Sequence, residues 1–133
     1  MNWPDAEAPS LDDIEAIARQ SFTDLPAEFR ALVDGIAFVV QEFPDEEVIT
    51  DLGLESEFDI LGLFHGSDLA ARNANRGQPE PTIILLYRRA ILDYWAGNKE
   101  TLGAIVRHVL IHEIGHHFGL SDHDMEAIEV ATE

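Results

Sequence analysis

The sequence predicts a single α+β domain over residues 1–133: a small twisted mixed sheet of three to four strands packed against a buried helix, with further helices at the N- and C-termini. Three observations carry this expectation. Runs rich in β-branched, aromatic and other apolar residues at 36–43, 60–66 and 82–88 have the length and composition of strands. Segments with helical periodicity alternate with them. A chain of 133 residues, 46% of them hydrophobic, is sized for one core.

Taken in order, residues 1–9 are expected to be a flexible lead-in. Ser10 then caps a helix, LDDIEAIARQSF, with acids in its first turn and Leu11, Ile14, Ile17 and Ala18 along one face. Pro26 opens a second short helix, AEFRALVDG, closed by Gly35. IAFVVQEF reads as a strand, the acidic stretch 44–59 as a loop or a short helical turn, and ILGLFHG as the next strand. Residues 67–81, with Arg72, Asn73, Asn75, Arg76, Gly77 and two prolines, read as a long mobile connection beside a cleft. TIILLYR is the clearest strand, and RAILDYWAG is a helix ended by Gly97. Asn98 is the expected N-cap of the long segment KETLGAIVRHVLIHEIGHHF, which Gly119 stops, and residues 124–132 form the last helix. The long helix is apolar almost all round, which places it between the sheet and the last helix.

Inside that helix begins HEIGHHFGLSD, residues 112–122. At 3.6 residues per turn His112 and His116 are offset by about 40° and about 6 Å, so both imidazoles can reach one ion. A buried imidazole needs partners, and a metal satisfies two at once. Glu113 leans over the same edge, where a carboxylate can take a proton from metal-activated water as general base. Gly119 stands where a helix turns left-handed, and the chain can then return Asp122 to the metal. His112, His116 and Asp122 are therefore read as ligands of one Zn²⁺ per chain. Three ligands leave an open position, as catalytic zinc sites do. The chain has no Cys, so a thiolate site and a cysteine nucleophile are both excluded.

His123, one residue on, is the alternative third ligand. His108 lies one turn before His112, but three ligands spread along about 12 Å of a straight helix cannot all reach one ion, so it is read as structural or as a support to a ligand. His117, about 100° from His116, reads as a packing or surface residue. His65 either lines the cleft or is an exposed loop residue. Tyr87 and Tyr94 are candidate phenol donors to a developing oxyanion or ordinary half-buried aromatics. Arg88 and Arg89 read as a solvated edge, and Met125 as a core residue of the last helix.

The net charge is −18, and residues 1–60 carry 16 acids against Arg19 and Arg30. Such a surface repels phosphate backbones, so no nucleic-acid partner is expected. No apolar stretch is long enough to span a bilayer, and the acidic start lacks a signal pattern. No membrane partner and a cytoplasmic location are expected; the oligomeric state is left open.

HEIGHHFGLSD resembles the extended zincin signature HExxHxxGxxD, a metzincin-type pattern with aspartate in place of the third histidine. Over residues 36–125 the order of strands and active-site helix is similar to the short bacterial zincin-like metallopeptidases called minimal metalloproteases. The resemblance implies a zincin-like domain and a zinc-dependent peptidase acting on a peptide or protein, with His112, His116 and Asp122 as ligands and Glu113 as base. It also implies that a sheet strand binds the substrate by strand addition. TIILLYR is the candidate strand, with Ile83, Leu85 and Tyr87, together with His65, as strand or cleft residues. Full metzincins carry a methionine turn well downstream of the third ligand; eleven residues follow Asp122 here, so half of the usual cleft is expected to be missing. Two other readings stand beside this one. One is a zinc-binding regulatory or interaction module without catalysis. The other is a metal-dependent endoribonuclease of HxxxHxxGxxH type, weakened by Glu113, by Asp122 and by the acidic surface.

Overall fold

The structure, a computed structural model, describes residues 2–33, 35–65 and 82–132. The connection expected at 67–81 lies outside the described residues, as does Gly66 at the end of the second strand segment.

Ser10 begins the first helix, α1 (Leu11–Thr23), through a reciprocal cap. Its hydroxyl accepts from the Asp13 N–H at 3.0 Å, and the Asp13 carboxylate accepts from the Ser10 N–H at 2.9 Å. These bonds hold the Asp13 carboxyl below its usual range. α1 buries Ile14 and Ala18. The expected second helix is a single turn, α2 (Ala27–Arg30), because the chain tightens into three-residue hydrogen-bonded turns through Leu32 and Val33. Strand β1 (Ile36–Gln41) follows. The acidic stretch holds a true helix, α3 (Glu46–Leu52), closed by Gly53 in the left-handed region.

Strands β2 (Gly62–His65) and β3 (Thr82–Tyr87) complete a three-stranded sheet in the order β1-β3-β2. β1 runs parallel to β3, and β2 antiparallel to it. The register puts Phe38 and Phe64 opposite Ile84, and Val40 and Gly62 opposite Leu86. Phe38, Ile84 and Leu86 are buried in the core, with Val40 and Phe64 packed against it, so one face of the sheet meets the helices. Ile83 and Leu85 alternate onto the other face and are only half-buried.

This topology corrects the expected substrate strand. β3 is the middle strand, with its backbone engaged by β1 on one side and β2 on the other, so no peptide can be added to it. Ile83 and Leu85 also face away from the long helix, and Tyr87 is enclosed in the core at 1% exposure. An earlier indication was available: a near-continuous apolar run is the mark of a central strand, whereas an edge strand alternates.

β3 passes directly into α4 (Arg88–Gly97). Arg88 is structural: its guanidinium donates to the Pro9 carbonyl at 2.6 Å and pairs with Glu42 at 2.9 Å, tying the chain start and the end of β1 to this corner. Asn98 does not cap the long helix. It ends α4, donating its side-chain amide to the Tyr94 carbonyl at 2.7 Å, and the long helix α5 (Leu102–His117) starts at Thr101, whose hydroxyl accepts from the Ala104 N–H at 3.1 Å. α5 packs on α1, β2, α4 and the last helix, α6 (Asp122–Thr132). Among the described residues no helix is long and apolar enough to cross a membrane.

Candidate active site

α5 commits seven of its residues to the core: Ile105, Val106, Val109, Leu110, Ile111, Ile114 and Gly115. The remaining surface carries a polar ridge of His108, His112 and His116 at four-residue spacing, with Glu113 beside it. The helix stops at Gly119, whose φ of 76° needs no Cβ. There the Leu120 N–H bonds back to the Gly115 carbonyl at 2.9 Å and the Gly119 N–H to the His116 carbonyl at 3.2 Å, the Schellman pattern. Ser121 and Asp124 then exchange side-chain to backbone hydrogen bonds and start α6.

The turn sends α6 back along α5. Gly115 sets how closely they approach, since a Cβ there would stand 2.5 Å from the Met125 Sδ. Met125 is fully buried on that glycine, as its reading as a core residue anticipates. One helical turn later Glu129 reaches the histidine ridge. Its Oε1 lies 2.8 Å from His112 Nε2 and 2.6 Å from His108 Nδ1. The rings of His108 and His112 stack with centroids 3.9 Å apart. Downstream, His116 Nε2 stands 3.9 Å from Asp122 Oδ1, with side chains 58% and 95% exposed.

Glu113 lies against β2. Burial pushes its carboxyl above the usual range, while the Phe64 backbone N–H it accepts and the nearby His116 pull it back. Gly62 lets β2 settle onto α5, since a Cβ there would come within 2.6 Å of Val109 and 3.0 Å of the Leu85 carbonyl. Phe64 also carries His117, stacked on it at 4.1 Å. Burial likewise raises the Tyr87 phenol, with Asp45 and Glu113 adding to the shift.

His112 and His116 thus share the ridge, but the donor atoms of His112 converge with those of His108 and Glu129 and not with those of His116 and Asp122. His123 faces a groove with Glu126, Ala127 and Val130 on α6. His65 is exposed at the end of the edge strand β2, and Tyr94 donates its hydroxyl to Glu100 at 2.9 Å. Glu129 carries no signal in the sequence that ties it to the motif, while His108 holds the supporting position read for it. His108 stands beside His112 and pairs with Glu129, a carboxylate that comes from the next helix. No local spacing links Glu129 to the motif; burial of Met125 four residues earlier was the available hint.

Imidazole and carboxylate donors without thiolate suit zinc, and the His116 to Asp122 separation is close to that of two ligands around one ion. The donor types present therefore fit the metal that the motif implies, with His112 Nε2 turned to Glu129 in this arrangement.

Residues 33–132 match the family described as zincin-like metallopeptidase, and the chain belongs to that family. No curated protein matches the chain.

Proposed function

We propose that this member of the zincin-like metallopeptidase family is a zinc-dependent peptidase, with His112, His116 and Asp122 holding the metal and Glu113 as general base. The observation that carries the reading is the setting of Glu113. It is half-buried, raised in pKa, oriented by the Phe64 N–H and next to His116. A zinc ion there supplies Lewis acidity, polarising the scissile carbonyl and acidifying water. Glu113 takes the proton from the attacking water and returns it to the leaving amine.

β2, in place of β3, is the strand that receives the substrate. The Leu61 carbonyl accepts from the Tyr87 N–H at 3.0 Å, so by antiparallel alternation the backbone groups of Leu63 and His65 face β3 while those of Gly62 and Phe64 face outward. The Phe64 N–H is used by Glu113, and among the described residues its carbonyl has no strand partner, which leaves it for an extended peptide. Substrate backbone and base are then positioned by the same residue. The acidic surface favours a polypeptide substrate over nucleic acid.

The test is Glu113→Gln with zinc loaded, assayed on a peptide library by mass spectrometry. Hydrolysis should fall by about 10²–10⁴-fold with zinc content unchanged. Equal hydrolysis by the variant removes Glu113 from its role. One equivalent of zinc in the unaltered protein with no turnover of any peptide favours the non-catalytic binding module.

A further inference from the structure

His112 can satisfy the motif only by leaving Glu129. The same carboxylate oxygen meets His112 Nε2 at 2.8 Å and His108 Nδ1 at 2.6 Å, and the three donor atoms lie within 4.8 Å of one another. We propose that His108, His112 and Glu129 form a second position for a zinc-class divalent ion, one helical turn upstream of the motif position and mutually exclusive with it because both require His112 Nε2.

The donor set is two imidazoles and a carboxylate, a combination that catalytic zinc sites use and that all-oxygen cations such as Ca²⁺ and Mg²⁺ do not. Bonds of about 2.0–2.2 Å around a tetrahedral ion separate neighbouring donors by about 3.4 Å. Admitting the ion therefore widens the present hydrogen bonds by less than about 1 Å, and no new residue has to be recruited. The side chains of His112 and Glu129 are 26% exposed and that of His108 is 53% exposed, so the position is walled on the α6 side and open to water on the other.

An ion at this position sits about 6 Å upstream of one at the motif. Glu113 is about 60° around the helix from His116 but about 140° from His108, so the upstream ion lies off the side of α5 that the base occupies. His108 and Glu129 thus store a metal in a position from which Glu113 cannot act. Metal binding here stands apart from the peptidase reading, and only its inhibitory consequence rests on that reading.

The test uses His116→Ala/Asp122→Ala, which removes two of the three motif donors at exposed positions, with circular dichroism as the check on folding. Titrated with Co²⁺ and followed by its visible d–d absorption, and then with Zn²⁺ by calorimetry, the double variant should still bind one equivalent. Adding Glu129→Gln or His108→Ala to that background should weaken binding by at least the roughly 10–100-fold that loss of a supporting partner costs. The proposal is overturned if the double variant binds no Co²⁺, or if neither added substitution alters its binding. Peptide hydrolysis plays no part in the titration, so loss of the peptidase reading would leave its outcome untouched.

Discussion

At the upstream turn of α5, His108 and His112 converge on Glu129, and the side chains of His112 and Glu129 are mostly enclosed. At the downstream turn, His116 faces Asp122 across 3.9 Å with both side chains largely in solvent. Each turn offers histidines at the same four-residue spacing, so the helix itself does not distinguish them. The path of α6 does. Met125, packed on Gly115, holds the start of α6 against α5, so Glu129 comes to rest on the upstream ridge one turn later while Asp122 stays exposed at the first residue of α6. The side chains of a motif written along one helix are arranged by the neighbour that covers it.

The largest effect should come from His112, which both turns share. His112→Ala should abolish stoichiometric zinc binding, measured by elemental analysis after dialysis, whereas His116→Ala should retain it. Retention of zinc by the His112 variant would break the shared-ligand picture. Next in size, Met125→Ala should cost about 2–5 kcal/mol in urea denaturation, because a fully buried side chain leaves a cavity at the α5–α6 contact. It should loosen the upstream cluster as well, seen as weaker Co²⁺ binding. Gly115→Ala attacks the same contact from the other side by overpacking, and about 1–3 kcal/mol is expected. Thr101→Ala removes only the cap of α5, far from both turns, and should cost about 1 kcal/mol with zinc affinity unchanged.

The smallest effect is a pH dependence that separates Glu113 from the ridge. Burial raises its carboxyl above the ordinary value of 4.5, so in the metal-free protein the fold favours the protonated form. That contribution is fully present below the unfolded-state value and is lost as pH rises through the higher folded-state value. Glu113→Gln has no such loss. Its denaturation midpoint should therefore gain on that of the unaltered protein as pH rises through this window, and parallel curves would mean that Glu113 is not buried in solution.

Much of this fold was legible from local signals. Ser10 and its first-turn acids marked α1, the apolar β-branched runs marked the three strands, and Gly119 marked the end of α5, because caps, strand patterns and left-handed turns are decided within a few residues. The errors arose where local signals competed or were silent. Asn98 and Thr101 are both good caps, and the choice depended on where α4 ended. TIILLYR reads as a strand from its own residues, but its place in the middle of the sheet depends on which strands flank it.

By itself the sequence determined the chemistry on offer: imidazoles and carboxylates without thiolate, a glutamate beside the first motif histidine, and a glycine that ends the helix one turn past the second. These follow from residue type and helical period, which act over a turn or two. The tertiary structure decided which donors meet. Glu129 is 17 residues from His112 in the chain and 2.8 Å from it in space, brought there by burial of Met125 on Gly115. Likewise, among the described residues β2 and not β3 has an unpaired edge beside Glu113, because hydrogen-bonded pairing across the sheet consumes both sides of the central strand.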